Sequence, residues 1–309
     1  MPETQLIPNP IMGGMMICRP APIFLRGGKS QGFSLMSDLH IGANNVDYER
    51  IKRDVNRMVE LGDRGLINGD LLDLIVASDK KRFSPDCLHP RLQGRRDIVN
   101  AAINWAVEIL APAADLIDMI GIGNHETYIE KYSSFDPTQV LIYELQKHRK
   151  NKNHLIHYGG YTGFLDYRIR DKDDRNHGGL RYVIYYHHGS GAYAPVTKGL
   201  IDFNRKDTFI DADLIWLGHK HNRLVVGVEK LSCPREGHEP KVKEVKHVMT
   251  GAYFHTYRGQ TQRSVRQHGR RSNYAADIGL APQSKGGARV QLRFVPYSRA
   301  KLLDVEVTQ

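Results

Sequence analysis

Two hydrophobic periods succeed each other along the chain. A short apolar run from Phe33 to Met36 has the abrupt polar end of a buried strand. Residues 46–61 then set Val46, Ile51, Val55, Met58 and Val59 among charged neighbours, the spacing of an amphipathic helix. Gly62 and Gly65 stop it, and Leu66 and Ile67 start a second strand, so strand, helix and strand form a βαβ unit. Helix patterns recur at 96–110, ended by Pro112, at 137–147 and at 197–206. Strand patterns recur at 116–122, 154–157, 161–170, 181–186 and 214–217, and the runs 224–228, 242–250 and 290–295 complete a second sheet. Residues 1–32, rich in Pro and Gly, are expected to form an irregular N-terminal segment with room for one short strand, and 33–309 a single domain. That domain carries a basic insertion at 78–96, with Arg91 and Arg95, and an Arg-rich loop at 257–285 that begins with Arg258.

The polar residues that end these strands are the informative ones. Asp38 and His40 follow the first strand with i, i+2 spacing, which puts both side chains on one side of an extended chain. Gly69-Asp70 with Asp73 follows the second, and Gly123-Asn124-His125-Glu126 the third. His187-His188 and Gly218-His219-Lys220-His221 end two later strands. Ligand sites in open α/β sheets gather outside the carboxyl ends of strands, so these fragments can converge. Hard carboxylate and amide oxygens together with imidazoles suit Mn, Fe, Zn or Ni, and the set is too rich for one ion.

In their order and spacing the five motifs resemble those of the calcineurin-like metallophosphoesterases. The resemblance implies an α/β fold, a four-layer αββα sandwich of two mixed β-sheets flanked by helices. It implies two divalent or trivalent metal ions, with Mn favoured over Fe, Zn, Ni and Mg. One would be held by Asp38, His40 and His221, the other by Asn124, His219 and either His187 or His188, with Asp70 as the bridge; His187 is slightly preferred as the first His after its strand. His125 would act as general acid, and Asp73 and Glu126 would orient ligand histidines. The implied activity is phosphoester hydrolysis by a metal-bridging hydroxide. Residues 189–199 resemble a segment of phage-encoded members.

The protein Ser/Thr phosphatases of that superfamily continue the second and third motifs with arginines that clamp a monoester dianion. Here Leu74-Ile75 and Thr127-Tyr128 stand instead, which favours a phosphodiester. A net charge of +10, with 14 Lys and Arg against 6 Asp and Glu from residue 235 onward, points to a polyanionic partner, a nucleotide or nucleic acid. Arg91, Arg95 and Arg258 are the expected contacts, and Tyr253, Phe254, Tyr257 and Tyr274 either stack on bases or fill the core. The alternatives are a broad-specificity phosphomonoesterase and a non-catalytic nucleic-acid-binding module. No apolar run nears the roughly 18 residues of a membrane span, no secretory pattern opens the chain, and Cys18, Cys87 and Cys233 lack metal or disulfide spacing. A cytoplasmic protein without a membrane partner is expected.

Overall fold

The computed structural model describes residues 7–8, 15–25, 29–73, 87–172, 180–191, 194, 196–233, 239–256, 279, 281–297 and 300–308. Strands β1 (Ile7–Pro8), β2 (Met15–Cys18) and β3 (Ile23–Leu25) precede β4 (Ser30–Met36), α1 (Tyr48–Leu61), β5 (Arg64–Ile67), α2 (Ile98–Leu110) and β6 (Ile117–Ile120). Helices α3 (Asn124–Ser133) and α4 (Pro137–His148) follow, then β7 (His157–Tyr158), β8 (Thr162–Asp171) and β9 (Leu180–His187). Helix α5 (Leu200–Asp207), β10 (Leu214–Leu217), β11 (Leu224–Ser232), β12 (Lys241–Met249), β13 (Ala288–Tyr297) and β14 (Ala300–Thr308) complete the order.

One mixed sheet runs β14-β13-β4-β5-β6-β7, the other β1-β2-β8-β9-β10-β12-β11 with β3 beside β8. Three apolar clusters define the layers. Phe33, Leu35, Leu66 and Met119 of the first sheet meet Leu165, Tyr167, Tyr186 and Trp216 of the second. The strand alternation turns Met36, Ile67 and Ile120 the other way, onto Val55, Ile103 and Leu141 of α1, α2 and α4. Behind the second sheet, Phe203 of α5 covers Tyr185, Ile215 and Leu217. The order is helices, sheet, sheet, helix: the αββα sandwich.

Local chemistry explains the helix ends. The Asp47 side chain accepts the Arg50 N–H, and Gly62, at φ 64°, closes α1 by donating to Met58 and Val59. Asp136 caps α4 in the same way ahead of Pro137. Four expectations change. The N-terminal segment contributes strands, because β2 and β3 both pair in parallel with β8. Helix α3 begins on the third motif itself, and α5 starts at Leu200 because Lys198 and Gly199 have positive φ. Strand β14 pairs with β13 beyond the last expected strand.

Candidate metal centre

Strands β4, β5 and β6 are parallel, as are β9 and β10, and their C-terminal ends deliver the five motifs. The two sets open at the same end of the sandwich: Asp38 Oδ1, after β4, lies 3.3 Å from His221 Nε2, after β10. Glycines permit the approach. A Cβ at Gly69 would stand 2.6 Å from His188 Nδ1, and one at Gly218 2.8 Å from Ser37 Oγ. The backbone is strained just here. Of seven non-glycine residues with positive φ among the described residues, five are Asp38, His40, Asp70, His219 and His221. Each such conformation costs of order 1 kcal/mol and persists only where surrounding contacts impose it.

Those contacts aim specific atoms. Asp38 Oδ2 accepts the Ser37 hydroxyl and, at 2.9 Å, the His219 N–H. Its Oδ1 then faces His40 and His188 Nε2, each at 4.0 Å. Asp70 Oδ1 accepts the His125 N–H at 2.9 Å, and its Oδ2 faces the Nε2 atoms of His188 at 3.2 Å, His40 at 3.9 Å and His125 at 4.0 Å. His188 Nδ1 is 2.8 Å from the Asn68 carbonyl, so Nδ1 carries the hydrogen and the Nε2 lone pair is left for a cation. Donor atoms fall into the groups Asp38, His40, His221; Asp70, His188, His219; and His40, Asp73, His125, each within 4.8 Å of one another.

The residues fit divalent ions. Asp38 and Asp70 have ion-pair contacts only with histidines among the described residues. Buried Asn124 Oδ1 and His219 Nδ1 have no hydrogen-bond partner among the described residues. Burial works against ionised Asp70, but His188, His125 and His40 hold its carboxyl well below the usual range. Burial likewise opposes charge on His188, yet Asp70 and Asp38 push it up to about 10. His125 is raised, against burial, by Asp70 and by Asp73, whose Oδ1 lies 2.8 Å from its Nδ1.

Of the two fourth-motif histidines, His188 is the one brought into the donor cluster. The preferred His187 turns aside because neighbours in a strand face opposite ways, and its Nδ1 accepts the Gly189 N–H at 2.8 Å. Glu126 also departs from expectation. As the third residue of α3 it accepts backbone N–H groups of Gly123, Asp70 and Leu72 at 2.8, 3.1 and 2.9 Å, so it ties two motif loops together rather than orienting an imidazole. Asp73 does face two ring nitrogens, of His125 and His40. The expected substrate arginines are not brought to the cluster: Arg91 pairs with Glu108 and lies over Trp105, and Arg95 pairs with Asp97. Arg258, Tyr257 and Tyr274 lie outside the described residues. Tyr253 is core, its hydroxyl on Asp54, whereas Phe254 stacks on His40 with ring centroids 4.2 Å apart and meets His221 edge-on. Sequence patterning gave Phe254 no such place. Ser37 and Asn68 were also missed, although each adjoins a motif.

No protein-family model and no curated protein matches the chain. Among solved structures, it is similar to a conserved uncharacterized protein, a predicted phosphoesterase, from Streptococcus pneumoniae TIGR4, with 11% identity over 90% of this chain and 99% of that one and a TM-score of 0.31. It is also similar to a metallophosphoesterase from Sphaerobacter thermophilus, with 15% identity over 74% of this chain and 78% of that one and a TM-score of 0.32. No helix among the described residues is long and apolar enough to cross a membrane.

Proposed function

We propose that the chain is a calcineurin-like metallophosphoesterase that hydrolyses phosphodiester bonds of nucleotides or nucleic acid with two divalent ions, manganese foremost. The position of Asp70 carries this reading: its Oδ2 stands 3.9 Å from His40 Nε2 and 3.2 Å from His188 Nε2, which supports a bridging role for this carboxylate between the two donor groups. Asp38, His40 and His221 would hold one ion, and Asn124, His188 and His219 the other. Ions held there supply Lewis-acid activation of water and neutralise phosphoryl charge.

The remaining steps belong to side chains. Asp73, with Oδ1 2.8 Å from His125 Nδ1, joins Asp70 in favouring the protonated form of that ring. His125 can then give the Nε2 proton to the leaving oxygen. The diester preference is supported by Leu74-Ile75 and Thr127-Tyr128, which stand after the second and third motifs where the resemblance would put phosphate-clamping arginines, since a monoester dianion is usually met by a guanidinium fork. A polyanionic substrate is supported by the Arg-rich stretch, whose described flanks meet two residues from Phe254, where the Gln283 N–H donates to Thr256 Oγ1.

The test is hydrolysis of a generic diester, a monoester, cyclic nucleotides, and single- and double-stranded DNA and RNA, each with Mn, Mg, Zn, Ni or EDTA. Metal-dependent diester cleavage is expected, falling about 10²- to 10³-fold in His125→Ala. Turnover confined to monoesters would replace the diester reading by a phosphomonoesterase, and silence throughout would leave a binding module.

A further inference from the structure

The ring of Phe254 lies against the donor cluster on one side only. It stacks on His40 with centroids 4.2 Å and planes 23° apart, and meets the His221 ring at 5.5 Å and 62°. His125 adds an edge contact to His40 at 4.6 Å. His40 and His221 both belong to the donor group of Asp38, and among the described ring contacts Phe254 touches neither histidine of the Asp70 group, His188 or His219. The backbone fixes this placement. The Tyr253 N–H donates to the Asp38 carbonyl at 3.2 Å, the Asp47 N–H to the Tyr253 carbonyl at 2.8 Å and the His255 N–H to the Asn45 carbonyl at 2.8 Å, while Phe254 itself forms an isolated bridge with Val46. The segment that carries Phe254 is therefore bonded to the loop that carries Asp38 and His40.

The two donor groups are thus oriented by different means. In the Asp70 group, His188 is aimed by a hydrogen bond at its second ring nitrogen, Nδ1 being 2.8 Å from the Asn68 carbonyl. In the Asp38 group, two imidazoles share one phenyl ring as packing partner, and a planar contact at this distance restricts the tilt of each and hence the direction of its lone pair. We infer that Phe254 is a positioning residue for one ion of the pair, the one held by Asp38, His40 and His221, and takes no part in holding the other. The inference rests on the two-ion reading above and deepens it: the two ions answer to separate supports, so removing the ring should uncouple them.

Calorimetric titration of the metal-free full chain with manganese chloride provides the test. The wild type is expected to take up two ions. Phe254→Leu keeps apolar bulk without the planar face, and is expected to weaken one ion about 10- to 100-fold, the scale for losing a group that orients a ligand, while the other keeps its wild-type affinity. Phe254→Tyr, which restores the ring, is expected to recover most of the loss. In His221→Ala, where the same ion has already lost a ligand, adding Phe254→Leu is expected to leave the remaining ion unchanged, a pattern that general loosening of the fold does not produce. Urea unfolding checks that the metal-free leucine variant is folded, and Phe254→Met takes its place if it is not. Equal weakening of both ions, no weakening of either, or further weakening in the double variant overturns the inference and leaves the phosphoesterase reading standing. A wild type that takes up fewer than two ions of manganese, zinc or nickel brings down the two-ion reading and this inference together.

Discussion

Asp118 on β6 and Asp70 at the exit of neighbouring β5 are both buried, at 3% and 1% exposure, yet the fold treats them in opposite ways. Asp118 receives Arg64 Nη1 on both oxygens at 2.9 and 3.1 Å and the Tyr167 hydroxyl at 2.8 Å. Burial works against the Arg64 charge, and Asp118 more than restores it. Asp70 sits at φ 46° and has only histidines as ionic partners among the described residues. Arginine is a permanent cation, so the Asp118 cluster is complete as it stands. Imidazole can lose its proton, so the Asp70 cluster can exchange protons for metal ions. A buried carboxylate matched by a permanent cation within regular strand is structural; one matched by titratable donors on strained backbone is built for a ligand.

Substitution should separate the two sharply. Asp70→Asn is expected to lower kcat on a diester by about a thousandfold or more, as loss of a group that stabilises developing charge does, and to remove bound manganese measured by elemental analysis. Its metal-free form should also lose the stability that the Asp70–His188 pair gives below about pH 10. Asp118→Ala should act on stability alone. It leaves the Arg64 guanidinium partly buried without its carboxylate, so a loss of about 3 kcal/mol in urea unfolding is expected, with metal content of the folded protein retained. If Asp118→Ala instead emptied the site of metal while Asp70→Asn did not, the division between the clusters would fail.

The difference between these clusters was only half legible in the sequence. Spacing alone put Asp38, His40, Asp70, Asn124, His219 and His221 at strand ends, because the apolar runs of parallel strands stop where their loops begin. The choice between His187 and His188 also had a signal, strand alternation. Ile184 and Tyr186 face the other sheet, and His188 continues that face, whereas His187 follows Val183 and Tyr185 toward α5. Other features depend on partners distant in sequence. The strand at Met15–Cys18 exists through β8, and Arg64 finds Asp118 fifty-four residues away. Glu126 reads as a ligand orienter by proximity to Asn124, but its work is set by the backbone of another loop. Arg91 and Arg95 looked available for substrate because nothing local reveals Glu108 as the partner of Arg91, although Asp97, two residues from Arg95, was in view.

The smallest expected effect concerns protons. Asp70 and Asp38 outweigh burial and push His188 up to about 10, above the ordinary histidine value near 6.5. A group raised in the folded state stabilises fully below its unfolded pKa, and that contribution is lost as pH rises through the folded one. Metal-free protein should therefore lose thermal stability as the pH is raised from about 6.5 toward 10 through this group. An ion at His188 Nε2 must displace the same proton, so manganese binding should release about one proton near neutral pH and tighten as pH rises. Calorimetric titration in buffers of different ionisation enthalpy counts that proton, and melting with and without EDTA should show a gap that widens with pH. His188→Gln should abolish the release and flatten the gap, whereas Asp118→Ala should leave both as they are. Equal proton release in His188→Gln and wild type would mean that the cation enters through other atoms, and the contrast between an exchangeable and a closed cluster would no longer rest on His188.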